Sequence, residues 1–415
     1  MTSNTATSNG NGVLRTALVI IALALPSILY WSDRTGFGVI LPAIIKSLHL
    51  SVAIGAGLAT TFALGQVVAA PFSGYVTRRL RGATTILLGV AIFSLFTIAT
   101  GLSKTSTEIF LSRTITGVGE ALFYPVAAAL MAGLTLRFRG LANGTANLLQ
   151  GIGVFTGPVL IAYVFVATHS YVTTLVYLGV VGMIVGLISY ILILMSGHSS
   201  SFLKQSAKKP SETHGRSYLN RDSVIGLLLM TLIGFIQWPW LVLFSSYLQI
   251  VDHLSVTESA AAAGLIGIGF IIGTLGGYIG DTIIDRRLLI ALGSVGEAVI
   301  TLIAFSVHLG FSEAALLTTL FGIFSSSLAF TNSMAISQNS VPQEHIPTIT
   351  GIILGGYYGA GFLSGFFVGG LIHVIGWAGA TAVVVALPAF ISVGLSLIIR
   401  SDKAVFKDTV NVTQS

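Results

Sequence analysis

The sequence predicts an all-α polytopic membrane protein with twelve transmembrane helices in two pseudo-symmetric six-helix halves. Three observations predict this fold class: the composition, the number of long apolar runs, and an internal repeat at about half the chain length. Of 415 residues, 54% are hydrophobic and 8% are charged, and the mean hydropathy is +0.92. Soluble domains carry about 25% charged residues. Lipid must therefore be the main solvent of this chain, which argues against a soluble enzyme and a nucleic-acid-binding protein.

The residue types that support most enzyme and metal chemistry are absent or scattered. The chain has no cysteine and eight histidines, and no pair of histidines has the spacing of metal ligands. No phosphate-binding loop or Ser–His–Asp set is apparent in the sequence either. We therefore expect neither enzymatic activity nor a cofactor.

Apolar runs long enough to cross a bilayer occur twelve times. A membrane-spanning helix needs about 20 apolar residues. We number the runs as spans 1 to 12 in chain order. They cover residues 15–45, 52–76, 84–102, 107–134, 141–167, 171–195, 224–248, 259–280, 288–309, 313–336, 348–375 and 377–399.

The positions of the basic residues predict the orientation. If the N-terminus is cytoplasmic, sixteen of the 20 basic residues fall on the cytoplasmic side, and only Lys46 and Lys104 fall on the opposite side. Cytoplasmic loops carry such an excess of Lys and Arg. We expect a multi-pass protein of the plasma membrane with both termini in the cytoplasm, and we assign the net charge of +6 to the lipid surface rather than to nucleic acid.

Polar segments divide the chain into five parts. A stretch rich in Ser and Lys at the midpoint separates six spans from six and is typical of a flexible linker. The predicted parts are a disordered N-terminal tail (1–12), an N-terminal six-helix bundle (13–196), a cytoplasmic linker (197–222), a C-terminal six-helix bundle (223–400) and a cytoplasmic tail (401–415).

Two sequence echoes indicate that the halves are related. Gly-Tyr-Val-Thr-Arg-Arg, which starts at Gly74 after span 2, recurs as Gly-Tyr-Ile-Gly-Asp followed by Arg-Arg, which starts at Gly277 after span 8. A second echo pairs Asn143-Gly144 with Thr350-Gly351 at nearly the same offset. Chance similarity between Gly-rich helices is the alternative for either match alone. Parallel six-helix repeats typically hold a substrate site at their interface, near the bilayer midplane.

Five ionisable residues lie within the predicted spans. They are Asp33 and Arg34 in span 1, Arg113 and Glu120 in span 4, and Glu297 in span 9. Each is costly in lipid unless it faces a partner or a wet cavity. Arg113 and Glu120 lie seven residues apart, about 10 Å along a helix axis, so the four charges of spans 1 and 4 must be satisfied across the bundle.

These charges lead to a hypothesis with an open alternative. Arg34 and Arg113 are suited to an anionic substrate, because guanidinium groups bind carboxylates bidentately, and Glu120 or Asp33 could carry a coupling proton. The alternative is that static ion pairs lock spans 1 and 4 together. We interpret Glu297 as packing or snorkelling against a neighbouring helix rather than as a proton carrier.

The repeated motif resembles the signature of the major facilitator superfamily, and the resemblance extends over all twelve spans. That signature is Gly-x-x-x-Asp-Arg followed by basic residues. The second-half copy keeps Gly277, Asp281, Arg286 and Arg287, whereas the first-half copy keeps Gly74 and Arg79 but has Arg78 in place of the acid. The resemblance implies a gate held closed by charge contacts, and the missing acid puts that latch in doubt for the first half.

Spans 1 and 4 more narrowly resemble the anion:cation symporter family, which includes sialin and bacterial sugar-acid carriers. The matching segments are Tyr-Trp-Ser-Asp-Arg-Thr (30–35) and Arg-Thr-Ile-Thr-Gly-Val-Gly-Glu-Ala (113–121). The resemblance implies anion binding by Arg34 and Arg113 and proton coupling by Glu120. A segment from Gly153 to Pro158 resembles part of a motif of exchangers and favours efflux weakly.

Further polar and aromatic residues are candidates for lining a substrate cavity, with helix packing as the alternative for each. They are Tyr30, Tyr124, Asn147, Gln150, Gln237, Trp238, Asn332, Tyr357 and Tyr358. Our leading hypothesis is a monomeric proton-coupled symporter of a small organic anion that works by rocking its two halves. The alternatives are proton-coupled efflux of hydrophobic or cationic compounds and a membrane receptor without transport activity.

Overall fold

The structure is a computed structural model that describes residues 4–80, 82–134, 139–196, 220–342 and 345–400. The predicted C-terminal tail and most of the predicted linker lie outside these residues. The described part of the chain is helical and contains no strand. The all-α prediction is therefore confirmed.

Six helical spans form the N-terminal half. Span 2 is interrupted by one residue, Thr61. The helices are Asn4–Ser47 for span 1, Val52–Thr60 and Phe62–Arg79 for span 2, Gly82–Leu102 for span 3, Ser106–Leu134 for span 4, Arg139–Thr168 for span 5 and Tyr171–Ser196 for span 6. Because span 1 begins at Asn4, residues 4–12 are helical where the sequence predicted a disordered tail.

The C-terminal half repeats this arrangement with more interruptions. Spans 10 and 12 each contain a π-helical segment, Ile323–Phe330 and Ala382–Ala386. The remaining helices are Arg221–Ile250 for span 7, Val256–Gly264, Gly267–Ile271 and Gly273–Thr282 for span 8, Arg286–Ala304 for span 9, Phe311–Gly322 and Thr331–Asn339 for span 10, Ile346–Thr381 for span 11 and the start of span 12, and Leu387–Ile398 for the rest of span 12.

Ten helical segments in the described chain are long and apolar enough to cross a membrane, against twelve predicted spans. The difference has two sources. One 51-residue segment, Thr348–Ile398, contains both spans 11 and 12, which meet at the non-helical residue Gly376 (φ 70°). The other source is span 4, a 29-residue helix with three charged residues, which is also long enough to cross a bilayer.

Left-handed backbone residues recur at equivalent places in the two halves. His49 (φ 50°) and His253 (φ 57°) follow spans 1 and 7, and His169 (φ 51°) and Gly376 (φ 70°) follow spans 5 and 11. Two residues after the first pair, the hydroxyls of Ser51 and Ser255 cap spans 2 and 8 by accepting hydrogen bonds from backbone N–H groups. The halves thus share helix ends as well as helix order.

Glycines bring spans 2 and 4 together without intervening side chains. A Cβ on Gly117 would lie 1.8 Å from the carbonyl oxygen of Phe62, and one on Gly65 would lie 1.8 Å from that of Thr114. Such contact between helix backbones requires small residues. It places Gln66 of span 2 beside Glu120 of span 4.

Several contacts join the two halves at one end of the bundle, which we call the outer face because spans 1 and 2 and spans 7 and 8 connect there. The hydroxyl of Ser246 donates to the carbonyl of Gly38 at 2.6 Å, and that of Thr60 donates to the carbonyl of Phe362 at 2.9 Å. Gly369 packs against the backbone of Ala53. The described conformation is therefore closed at the outer face.

Candidate functional site

A buried ion pair lies near the middle of the bundle, between spans 1 and 4. Nη2 of Arg34 lies 2.9 Å from Oε2 of Glu120, and Nε of Arg34 donates to the same oxygen at 3.2 Å. Both side chains are fully buried. Nε2 of Gln66 in span 2 also donates to this oxygen, at 3.0 Å, and to the Tyr30 hydroxyl at 3.1 Å. Oε2 thus accepts every hydrogen bond that Glu120 receives from Arg34 and Gln66.

A second buried ion pair joins the same two spans on the outer side of the first. Nη1 of Arg113 donates to Oδ2 of Asp33 at 2.9 Å. The Thr97 hydroxyl of span 3 donates to Oδ1 of Asp33 at 3.0 Å, and Nη2 of Arg113 donates to the carbonyl of Ala59 at 3.4 Å. Both oxygens of Asp33 therefore have partners. The sequence predicted that the four charges of spans 1 and 4 are satisfied across the bundle. In the structure they pair with one another.

Aromatic rings enclose the Arg34 guanidinium. The ring of Tyr30 lies 3.8 Å from its central carbon, measured to the ring centroid. Four further rings lie within 6 Å, those of Trp31, Phe62, Trp238 and Tyr358. The Phe62 ring also lies 5.1 Å from the Arg113 guanidinium. Cations are attracted to the faces of aromatic rings at these distances, so the rings stabilise a charge that lipid would not.

Several buried polar atoms around this centre have no hydrogen-bond partner among the described residues. They are Oε1 of Glu120, Oε1 of Gln66, Nε of Arg113, Nε2 of Gln237 and Nε1 of Trp238. A buried polar atom that lacks a partner costs about 1–3 kcal/mol. Water or a bound polar molecule would satisfy these atoms, which is the property expected of a binding site.

Most of the predicted cavity-lining residues gather here. Tyr30 stacks on Tyr124 with ring centroids 5.5 Å apart, and the Tyr357 hydroxyl donates to Oε1 of Gln237 at 2.8 Å. The Trp238 ring lies 5.6 Å from that of Tyr357 and so connects Gln237 and Tyr357 to the Arg34 site. Asn147 lies on span 5, but its side chain falls outside the described part of the structure.

Asn332 lies apart from the other predicted residues. Its Oδ1 accepts a hydrogen bond from Nη1 of Arg286 at 3.0 Å, and its Nδ2 donates to the carbonyl of Leu328 at 2.9 Å. Arg286 also pairs with Asp281. The structure therefore places Asn332 with the second-half gate motif instead of the substrate centre.

The two copies of the gate motif differ as their sequences do. In the second half, Arg286 contacts Asp281, and Arg287 pairs with Asp285 at 2.9 Å. In the first half, the Arg79 guanidinium lies 5.0 Å from the Tyr75 ring centroid. Gly74 and Arg78 lie on the helix of span 2, Gly277 lies on span 8, and the side chain of Arg78 lies outside the described structure.

Sequence reasoning missed three residues of the centre, Gln66, Thr97 and Phe62. All three are uncharged, and none of them was among the polar and aromatic candidates from the sequence. A polar amide within the apolar run of span 2 was a usable signal for Gln66, because buried amides need partners. Nothing in the sequence distinguishes Phe62 and Thr97 from the other phenylalanines and threonines in the spans.

Glu297 differs from its predicted setting. Its side chain is fully buried (0% exposed) and lies eleven residues beyond Arg286, the start of span 9, which is about 16 Å along a helix. A glutamate side chain cannot snorkel to the membrane surface over that distance. Snorkelling is therefore wrong, whereas packing against a neighbouring helix, the other part of the interpretation, agrees with the close contact of Gly296 with Phe324 of span 10.

Comparison with known proteins identifies the kind of molecule that this centre belongs to. Residues 23–365 match the family model of the Major Facilitator Superfamily. Multidrug resistance protein 2 of Bacillus subtilis is 32% identical over 120 residues, which are 29% of this chain and 30% of the relative. A protein of Escherichia coli named Probable L-galactonate transporter is 24% identical over 313 residues, 69% of this chain and 68% of the relative.

The fold has solved counterparts. A bacterial homologue of the human lysosomal transporter Spinster, in an inward-facing and occupied conformation, superposes with a TM-score of 0.67 at 18% identity and covers 95% of this chain and 96% of its own. At that identity the likeness concerns the fold alone. The family and its relatives are transporters rather than enzymes.

Proposed function

The chain belongs to the Major Facilitator Superfamily of membrane transporters, and from that premise we propose that it carries a small organic anion, a carboxylate or sugar acid, together with a proton. The observation that carries the proposal is the buried pair of Arg34 and Glu120. When Glu120 takes up a proton, Arg34 loses its counter-charge and becomes available to a substrate carboxylate. When the anion leaves, the Glu120 carboxylate, having released its proton, pairs with Arg34 again.

The two ion pairs have different roles in this mechanism. Glu120 uses one oxygen for all its contacts, and the other has no partner among the described residues. Asp33 has partners on both oxygens. Glu120 therefore has an oxygen that is open to a proton, so we assign the proton to Glu120 and give Asp33 the task of holding Arg113 in place, although the sequence also offered Asp33 as a proton carrier.

The transporter alternates its access to the two sides by rocking its halves around this centre. We place it in the plasma membrane as a monomer with both termini cytoplasmic, because sixteen basic residues would then lie on the cytoplasmic side. The relative named as an L-galactonate transporter supports a sugar acid as the substrate.

Uptake by proteoliposomes tests the proposal. Under an imposed proton gradient, the protein is expected to accumulate labelled sugar acids, and Glu120→Gln to abolish accumulation while downhill exchange persists. Arg34→Met should lower the apparent affinity by about tenfold or more, because a hydrogen bond to a charged group contributes about 1.5–3 kcal/mol. Glu313→Gln, which changes an exposed carboxyl, is the matched control. Gradient-driven accumulation by Glu120→Gln at the level of the parent protein would refute the role of Glu120.

A second candidate is proton-coupled efflux of hydrophobic or cationic compounds. It is favoured by the five aromatic rings around Arg34 and by the relative named as a multidrug resistance protein. Growth of cells that express the protein, on a panel of toxic aromatic cations with and without Glu120→Gln, separates the two candidates. Resistance that depends on Glu120, without uptake of carboxylates, would establish efflux.

A further inference from the structure

Glu297 is a buried carboxyl in the C-terminal half that the proposed mechanism does not use. It lies in the middle of span 9, and none of the described groups meets hydrogen-bond geometry with either of its carboxylate oxygens. The hydroxyl of Ser325, in the π-helical segment of span 10, is its polar neighbour. The hydroxyls of Ser325 and of Ser294, one turn before Glu297, also lack partners among the described residues.

Spans 9 and 10 pack tightly around Glu297, which is fully buried in this conformation. A Cβ on Gly296 would lie 2.4 Å from the Phe324 ring, and one on Gly293 would lie 2.7 Å from the Phe324 carbonyl oxygen, so spans 9 and 10 are in close contact. On the outer side, Nε1 of Trp240 donates to the Thr301 hydroxyl at 3.0 Å, and its ring stacks on that of Phe321. The carboxyl is thus buried where spans 9 and 10 are in close contact, with the hydroxyl of Ser325 beside it.

No cation balances a negative charge at this position in the described structure. Spans 7, 8, 10, 11 and 12 surround or adjoin span 9. The titratable or charged side chains on them and on span 9 itself are Arg221, Asp222, Tyr247, Glu258, Tyr278, Asp281, Arg286, Arg287, Glu313, Tyr357, Tyr358 and His373. The cationic residues of span 9 are Arg286 and Arg287, at the end of the helix opposite the outer face. Arg286 pairs with Asp281, and Arg287 pairs with Asp285.

We propose that Glu297, with Ser325 and Ser294, forms a second proton-binding site, so that each half of the transporter has its own titrating carboxyl. A buried carboxylate without a cation is strongly unfavourable, and the group becomes neutral instead. The proton comes from water when the site is hydrated, converts the carboxylate to the carboxylic acid, and returns to water when spans 9 and 10 separate. The π-helical segment of span 10 lies at this contact between spans 9 and 10. Such segments often occur at functional sites.

The site itself does not depend on the substrate that we propose, because the proton is its only ligand.

Infrared spectroscopy of the purified full-length protein in lipid nanodiscs tests the inference with the proton as the probe. At neutral pH the protein should show a protonated-carboxyl band that Glu297→Gln removes and that Glu313→Gln and Glu120→Gln retain. Ser325→Ala, which keeps the carboxyl in place, should shift this band because the hydroxyl next to it is lost. A transporter that moved no carboxylate would still show the band, so the two proposals fail separately.

Three results would overturn the inference. One is a spectrum of Glu297→Gln identical to that of the parent, and another is a band that Ser325→Ala leaves in place. The third is a rise in melting temperature with sodium that Glu297→Gln removes, which would make the site a sodium site. As an independent measure, the melting temperature of the parent should fall more steeply with rising pH than that of Glu297→Gln, because only the parent has a proton to lose there.

Discussion

The four central charges form two ion pairs that look alike but are satisfied to different degrees. Asp33 accepts hydrogen bonds on both oxygens from Thr97 and Arg113, whereas one oxygen of Glu120 is unpartnered among the described residues. We therefore propose that the static-pair alternative describes Asp33–Arg113, which fixes spans 1 and 4, and that the transport hypothesis describes Arg34–Glu120, which can exchange its partner.

This distinction predicts how the fixed pair responds to substitution. Arg113→Met leaves Asp33 buried without its cation and should destabilise the protein by about 3–5 kcal/mol, since breaking a buried pair strands the remaining charge. Adding Asp33→Leu should recover most of that loss, because an apolar pair of similar volume is tolerated. Thermal unfolding in detergent measures both variants. An Arg113→Met protein as stable as the parent would show that the pair does not hold the helices.

At the scale of helices, the sequence predicted more of the fold than of the site. Hydropathy placed all twelve spans, because a bilayer imposes a minimum length on each. It did not predict the π-helical segment at Ile323–Phe330, because that segment is as apolar as an α-helix would be. It also missed the shared His-Leu-Ser segments at His49 and His253, whose equivalence is visible in the backbone angles.

Within the site, the sequence identified the charged residues but did not predict how they pair. Arg34, Arg113, Asp33 and Glu120 are conspicuous in an apolar chain, so sequence reasoning found all four. Which arginine pairs with which acid depends on the rotation and depth of spans 1 and 4. Those are set by backbone contacts such as Gly117 against Phe62, which leave no pattern in hydropathy.

The backbone contact between spans 2 and 4 predicts a large effect from one methyl group. Gly117→Ala would bring a Cβ within 1.8 Å of the Phe62 carbonyl oxygen, so the two helices must separate and Gln66 moves away from Glu120. We expect a loss of about 1–3 kcal/mol of stability, as for overpacked cores, together with loss of transport. Gly355→Ala is the control, because a Cβ there meets nothing within 4 Å, and alanine favours a helix over glycine by about 1 kcal/mol. Equal melting temperatures for the two variants would contradict this account.

At the scale of the whole molecule, the two halves meet in this conformation through hydrogen bonds at the outer face. Ser246 and Thr60 donate to backbone carbonyls of the opposite half, and Gln249 does so to Val39 at 3.0 Å. Side chain to backbone bonds of this kind contribute about 0.5–1.5 kcal/mol each. They are strong enough to favour closure and weak enough to be broken in each cycle of transport.

Weakening these bonds should shift the population towards a conformation that is open at the outer face. The chain has no cysteine, so Ser245→Cys, at a buried position of span 7 (3% exposed), provides a single thiol that a membrane-impermeant reagent reaches only when the halves separate. Adding Ser246→Ala and Thr60→Val should lower the free energy that favours the closed conformation by about 2 kcal/mol. The labelling rate should then rise at least about tenfold. Ser392→Ala removes a hydrogen bond within span 12 and should leave the rate unchanged. If the double substitution labels no faster than this control, the bonds between the halves do not hold the outer face closed.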